Sequence, residues 1–159
     1  MSTLTFTVRG LPGAQGSKRH VGHGVMVESS AKVKPWRSDV KAAAEAALER
    51  VTDFGEWPAR GPVAVAIEFR FARPKGHYRT GRYAHLLRAD APTFVVSRGC
   101  GDLDKIVRST GDAMTAAGVF ADDSLIAHLT ASKTYCTPFE TPGAFIVVTP
   151  FAHPTKETP

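Results

Sequence analysis

Residues 101–126, GDLDKIVRSTGDAMTAAGVFADDSLI, decide how the chain is read, because they hold its clearest helix and most of its candidate chemistry. Leu103, Ile106, Val107, Thr110, Met114 and Ala117 recur at the spacing of one helical face, and Gly118 suits the left-handed turn that ends a helix. The segment predicts a helix from Leu103 to Ala117. Asp102 and Asp104 stand at its mouth, two residues apart, so extended backbone there turns both carboxylates to one side. Asp122 and Asp123 follow the helix at the entry to a strand in which Leu125, Ala127, Leu129 and Ala131 alternate.

Working outward, Leu4, Phe6 and Val8 alternate with polar neighbours, which predicts a first strand that stops at Gly10, Pro12, Gly13 and Gly16. Residues 16–33 are rich in glycine and basic residues, and predict a loop or an irregular hairpin. Trp36, Val40, Ala43, Ala44, Ala47, Leu48 and Val51 then recur at helical spacing, with Pro35 in the first turn and Gly55 just past the end. Val63, Val65, Ile67, Phe69 and Phe71 alternate, which predicts a strand over 63–71, and a further short strand falls around Phe145 to Val148. The stretch from Arg73 to Gly101 has no period. It holds Arg73, Lys75, Arg79, Arg82, Arg88 and Arg98 with Tyr78 and Tyr83 among them, and aperiodic loops of that length in a small domain are functional or disordered. The expected fold is α+β, a single domain over residues 1–153 with a mixed or antiparallel sheet of about four strands and two main helices. Residues 154–159 are expected to be a flexible tail.

The totals narrow the function. No apolar run approaches the roughly 20 residues that span a bilayer, and the alternating start MSTLTFTVRG is unlike a signal peptide, so a cytoplasmic protein is expected. Cys100 and Cys136 have neither CxxC spacing nor a disulfide framework. The formal net charge of +5 favours an acidic partner such as nucleic acid. Within 101–126, however, five acids (Asp102, Asp104, Asp112, Asp122, Asp123) face two bases (Lys105, Arg108). An acidic centre in a basic chain is what a cation site acting on a polyanion requires.

Carboxylates about 4 Å apart repel by roughly 4 kcal/mol at an effective dielectric of about 20, so gathering several is costly without a cation. A hard divalent ion such as Mg²⁺ removes that cost and prefers oxygen ligands. The competing explanation is that Asp102 or Asp104 caps the helix, which accounts for one carboxylate and leaves the other acids unexplained. Asp112 lies four residues after Arg108, which predicts an ion pair on the polar helix face.

The run 101–126, followed by Lys133 in TASK, resembles the core motif of the RusA family of Holliday-junction resolvases, in which DLDN opens a helix and a DD pair followed by a short strand closes the motif. The similarity is close over about a third of the chain and extends more loosely to the N-terminal strand and its GLPGAQGSKRH loop. The resemblance implies a homodimeric Mg²⁺-dependent crossover junction endodeoxyribonuclease acting in DNA recombination and repair, encoded by a bacterium or a bacteriophage, that nicks paired strands of a four-way junction. It implies that Asp102, Asp104 and Asp123 are the metal-binding acids, with Asp122 the less critical member of its pair. Two positions depart from the pattern: Lys105 replaces the asparagine, and Arg108 stands where the family has its catalytic lysine. Arginine clamps phosphate but does not exchange a proton near neutrality. Arg108 and Lys133 are therefore expected to stabilise the reacting phosphate.

Lys18, Arg19, Lys32, Lys34, Arg79, Arg82 and Lys105 are the expected DNA-binding residues, with surface charge alone as the competing explanation. Tyr78 and Tyr83, among arginines, suit stacking on splayed bases, whereas Trp36 suits the core. Three rival functions remain open: a relative that binds junctions without cutting them, suggested by Arg108, a phosphate-ester hydrolase using the same acids on nucleotides, and a purely structural basic protein that binds no divalent ion.

Overall fold

Nine residues from Val63 to Phe71 alternate buried and less buried side chains, and this strand lies inside the sheet on which everything else is mounted. The computed structural model describes residues 2–16, 18–20, 22–24, 26–28, 30–51 and 57–151, without the side chains of 18–20 and 26–28. In chain order the elements are β1 (Leu4–Arg9), β2 (Lys18–His20), β3 (Met26–Glu28), α1 (Val33–Leu48), β4 (Val63–Phe71), α2 (Leu103–Ala116), β5 (Ile126–Tyr135) and β6 (Gly143–Pro150). The expected α+β domain, with two helices on a four-stranded mixed sheet, is the architecture observed.

The main sheet runs in the order β1-β6-β4-β5. β1 pairs antiparallel with β6 from Leu4↔Val148 to Arg9↔Gly143, and β6 pairs antiparallel with β4. β4 and β5 are parallel, with Ile67 opposite Ala131 and Phe69 opposite Lys133. Parallel neighbours need a crossover. Here it is made by the aperiodic segment 72–100 followed by α2, so the acidic turn and the Arg-rich stretch belong to one connection. β2 and β3 form a separate two-stranded hairpin in the glycine-rich segment.

One apolar cluster unites the layers. Leu4, Phe6 and Val8 from β1, Val63 to Phe71 from β4, and Ile146 and Val148 from β6 meet Trp36 and Val40 of α1 and Ile106 and Met114 of α2. Trp36 is fully buried beside Phe69, and its indole N–H donates to Thr110 Oγ1 at 3.0 Å, so a polar bond joins the two helices inside the core. Thr110 Oγ1 in turn donates to the Ile106 carbonyl.

Two expectations are corrected. The first helix begins at Val33 and stops at Leu48, short of Val51; Gly55 lies outside the described residues, as does the expected tail at 154–159. Asp112 pairs with Arg37 of α1 instead of Arg108, because α1 packs against that face of α2. The strand expected around Leu125 to Ala131 is β5, whose residues Ala127 to Leu129 are exposed at the sheet edge.

Candidate functional site

The site grows from the turn that starts α2. Gly101 has φ +80, and a Cβ there would sit 2.5 Å from the Ala14 Cβ, so the turn needs both glycine's left-handed freedom and its lack of a side chain. Its carbonyl accepts a 2.6 Å hydrogen bond from Lys133 Nζ on β5. The N-terminal loop braces the other side: Gln15 N donates to the Lys105 carbonyl, and buried Ser109 Oγ donates to the Gly13 carbonyl at 2.6 Å. Helix, edge strand and glycine-rich loop therefore fix one short turn in place.

Asp102 occupies the N-cap position of α2, yet its side chain makes no capping hydrogen bond. It bonds Lys105 Nζ at 2.6 Å instead. That bond and the Lys105 charge, with Lys133 adding to them, hold the Asp102 carboxyl below the usual carboxylate range. Reciprocally, the Asp102 carboxylate raises Lys105 above the ordinary ammonium value.

Asp104, two residues further on in the first turn of α2, faces elsewhere. It lines a shallow cavity of about 670 Å³ together with Asp123 and Arg108, walled by Leu103, Val107, Leu129 and Ala131. Asp123 reaches it from the 3-10 turn Asp123–Leu125 that leads into β5. That turn is capped by Asp122, whose side chain accepts from the Ser124 N–H at 2.9 Å. The Ser124 bonds lower the Asp122 carboxyl, so this member of the acidic pair serves the turn. Neither the Asp104 nor the Asp123 carboxylate has a hydrogen bond or ion pair among the described residues.

Of the three expected metal-binding acids, the fold thus brings two to one cavity and turns the third to a lysine. Among the described residues no three acidic, histidine or cysteine side chains gather closely enough to hold an ion by themselves. The donor chemistry still fits Mg²⁺, which takes one or two carboxylates and completes its shell with waters and substrate phosphate. Two free carboxylates in an open cavity beside a guanidinium offer that set.

The expected DNA-binding residues are scattered. Arg79 and Arg82 are exposed on the segment 72–100, Lys34 is exposed on the first turn of α1, and Lys32 Nζ donates to the Gly99 carbonyl at 3.3 Å. The side chains of Lys18 and Arg19 lie outside the described residues. Reasoning from residue pattern missed the tie between Lys133 and Gly101, which joins positions 32 apart along the chain. It also missed the anchoring of Arg73, which donates to the carbonyls of Cys136 and Pro92 and lies over the Tyr135 ring. An arginine beside a proline carries no mark that separates an anchor from a DNA contact.

Among the described residues no helix is long and apolar enough to cross a membrane. No curated protein matches the chain. A family model for the endodeoxyribonuclease RusA matches residues 10–149 of the 159, a span that takes in the glycine-rich loop, both helices and the Asp104–Asp123 cavity. The chain belongs to the RusA endodeoxyribonuclease family.

Proposed function

We propose that this protein is a Mg²⁺-dependent, structure-specific endonuclease that acts as a homodimer and resolves four-way DNA junctions by paired nicking. The observation that carries this reading is the cavity shared by Asp104, Asp123 and Arg108 in a member of an endodeoxyribonuclease family. Asp104 and Asp123 would hold the cation. Bound there, the cation supplies positive charge to the scissile phosphate and acidifies water for the attack.

The remaining work falls to side chains. Arg108 presents fixed N–H donors to phosphoryl oxygens and stays charged throughout, so it stabilises charge and moves no proton. Lys105 is half exposed and bonded to a still more exposed carboxylate, a pairing that solvent and a competing phosphate exchange readily. A DNA phosphate drawing Lys105 away would leave the Asp102 carboxylate without its ammonium partner, and so available as a further oxygen ligand for the cation. Lys133, occupied with the Gly101 carbonyl, holds the turn that aims Asp102 and is a positioning residue in this account. Lys18, Arg19, Lys32, Lys34, Arg79 and Arg82 contribute the phosphate contacts.

Arg108 at the family's lysine position favours one alternative, a junction-binding relative without turnover. End-labelled four-way junctions separate the two. The proposed activity gives symmetric nicks with Mg²⁺, none in EDTA, and none with Asp104→Asn, while all three conditions retain junction binding. Binding without nicks in Mg²⁺ or Mn²⁺ establishes the alternative. Hydrolysis of nucleotides with no junction binding removes DNA as the substrate.

A further inference from the structure

The segment 72–100 lacks sequence periodicity but is an ordered arm. Its stem is fixed to β5: Thr93 O accepts from Tyr135 N at 2.9 Å, Val95 N donates to Lys133 O at 3.0 Å, and Phe94 bridges Thr134. Arg73 clamps the outgoing strand through Cys136 and Pro92, and His77 packs edge-on against the Tyr135 ring with centroids 4.8 Å apart. Beyond the stem the chain closes on itself. Tyr78 bridges Leu87, Arg88 N donates to His77 O at 2.9 Å, and Arg79 N donates to Leu86 O at 2.8 Å. Two further turn bonds, Ala84 N to Gly81 O and Leu86 N to Tyr83 O, order the tip.

That tip carries Arg79, Arg82, Tyr83 and His85, all exposed. The Arg82 guanidinium lies 4.7 Å from the Tyr83 ring centroid, and Tyr83 is still 44% exposed. The arm as a whole sets six cations against one carboxylate, Asp90, which Arg88 neutralises through two bonds of 2.9 and 3.0 Å. Its net charge of +5 equals that of the entire chain. An exposed aromatic beside a guanidinium, on a prefolded basic stem, has the two parts of a base-stacking platform: cations for the phosphates and a flat face for an unpaired base. A paired duplex offers the cations phosphates but shields its base faces by stacking. Because internal hydrogen bonds already set the tip, little ordering entropy opposes binding.

Resting on the nuclease reading above, we propose that this arm senses branching, with Tyr83 receiving a base that is unstacked at the strand-exchange point and Arg79 and Arg82 holding the flanking phosphates. The arm and the Asp104–Asp123 cavity both border β5, so a base held by the arm sets which phosphodiester reaches the cavity.

The test uses the full-length protein in EDTA with a four-way junction and a matched linear duplex, each carrying 2-aminopurine, at the crossover in the junction and centrally in the duplex. Unstacking at the crossover and capture by a ring change the probe's fluorescence. Wild type is expected to produce a junction-specific change that Tyr83→Ala abolishes and Tyr83→Phe restores, with junction affinity reduced about tenfold in the alanine variant, the scale of one lost stack. Duplex affinity is expected to stay within about twofold, since phosphate contacts dominate it. An unchanged probe signal in Tyr83→Ala overturns the proposal while leaving nuclease function standing. Equal loss of junction and duplex affinity also overturns it, reducing the arm to a phosphate contact. Failure of wild type to bind the junction at all removes the functional reading itself, and this inference with it.

Discussion

Lys133 on the edge strand donates a 2.6 Å hydrogen bond to the carbonyl of Gly101, the residue immediately before Asp102. The bond ties β5, which Asp123 introduces, to the turn that Asp102 and Asp104 leave, so acids from opposite ends of α2 are held in a common frame. Replacing Lys133 with methionine keeps most of the stem and removes the donor. Nicking is expected to fall by about 10- to 100-fold, the usual effect of losing a group that orients metal-binding side chains. Junction affinity in EDTA is expected to change little, which separates positioning from DNA contact, and Lys133→Arg, which still donates, should recover part of the rate. Undiminished nicking by Lys133→Met shows that the turn holds without this bond.

Gly101 itself is predicted to resist substitution. Alanine would adopt φ +80 and place its Cβ 2.5 Å from that of Ala14. Left-handed backbone at a non-glycine residue costs on the order of 1–3 kcal/mol, and the clash adds to it. Urea unfolding of Gly101→Ala should register a loss of about 2 kcal/mol or more, accompanied by weaker nicking because the loop from Gly13 to Gln15 is pushed off α2. A loss below about 0.5 kcal/mol means that the turn relaxes at little cost.

The Trp36–Thr110 bond offers a test of the core away from the site. Thr110→Val is nearly isosteric but strands the fully buried indole N–H. An unsatisfied buried donor costs about 1–3 kcal/mol, so the melting temperature should drop by several degrees while the activity of the folded protein is retained. A variant as stable as wild type indicates that the indole finds another acceptor.

Much of this architecture was legible from residue pattern because it rests on local periodicity. Val63 to Phe71 alternate because both neighbours of β4 are strands and one face packs on the helices; Leu103, Ile106, Val107, Thr110 and Met114 keep helical spacing because α2 buries one stripe. The row from Leu125 to Ala131 announced the strand that became β5. Its alternation does not encode that the strand lies at a sheet edge, where Leu129 and Ala131 line the acidic cavity. The order β1-β6-β4-β5 depends on pairing between distant segments, which no short window encodes. The arm was opaque for another reason: 3-10 turns, side-chain clamps on carbonyls and single bridges order it, and none of these leaves a repeating pattern. At the site, the acids were conspicuous by spacing, but which carboxylate pairs with a lysine depends on rotamers. Hence Asp102 and Asp104, adjacent in the motif, face different partners.

The central claim is that Asp104 and Asp123 jointly hold one divalent cation. It is tested most directly by titrating Mn²⁺ into the junction-bound protein, followed by electron paramagnetic resonance, for wild type, Asp104→Asn, Asp123→Asn and the double variant. Joint ligation predicts that each single substitution weakens binding at least about tenfold and that the double variant loses much less than the product of the two. Two single variants that both bind Mn²⁺ with wild-type affinity would contradict the claim outright.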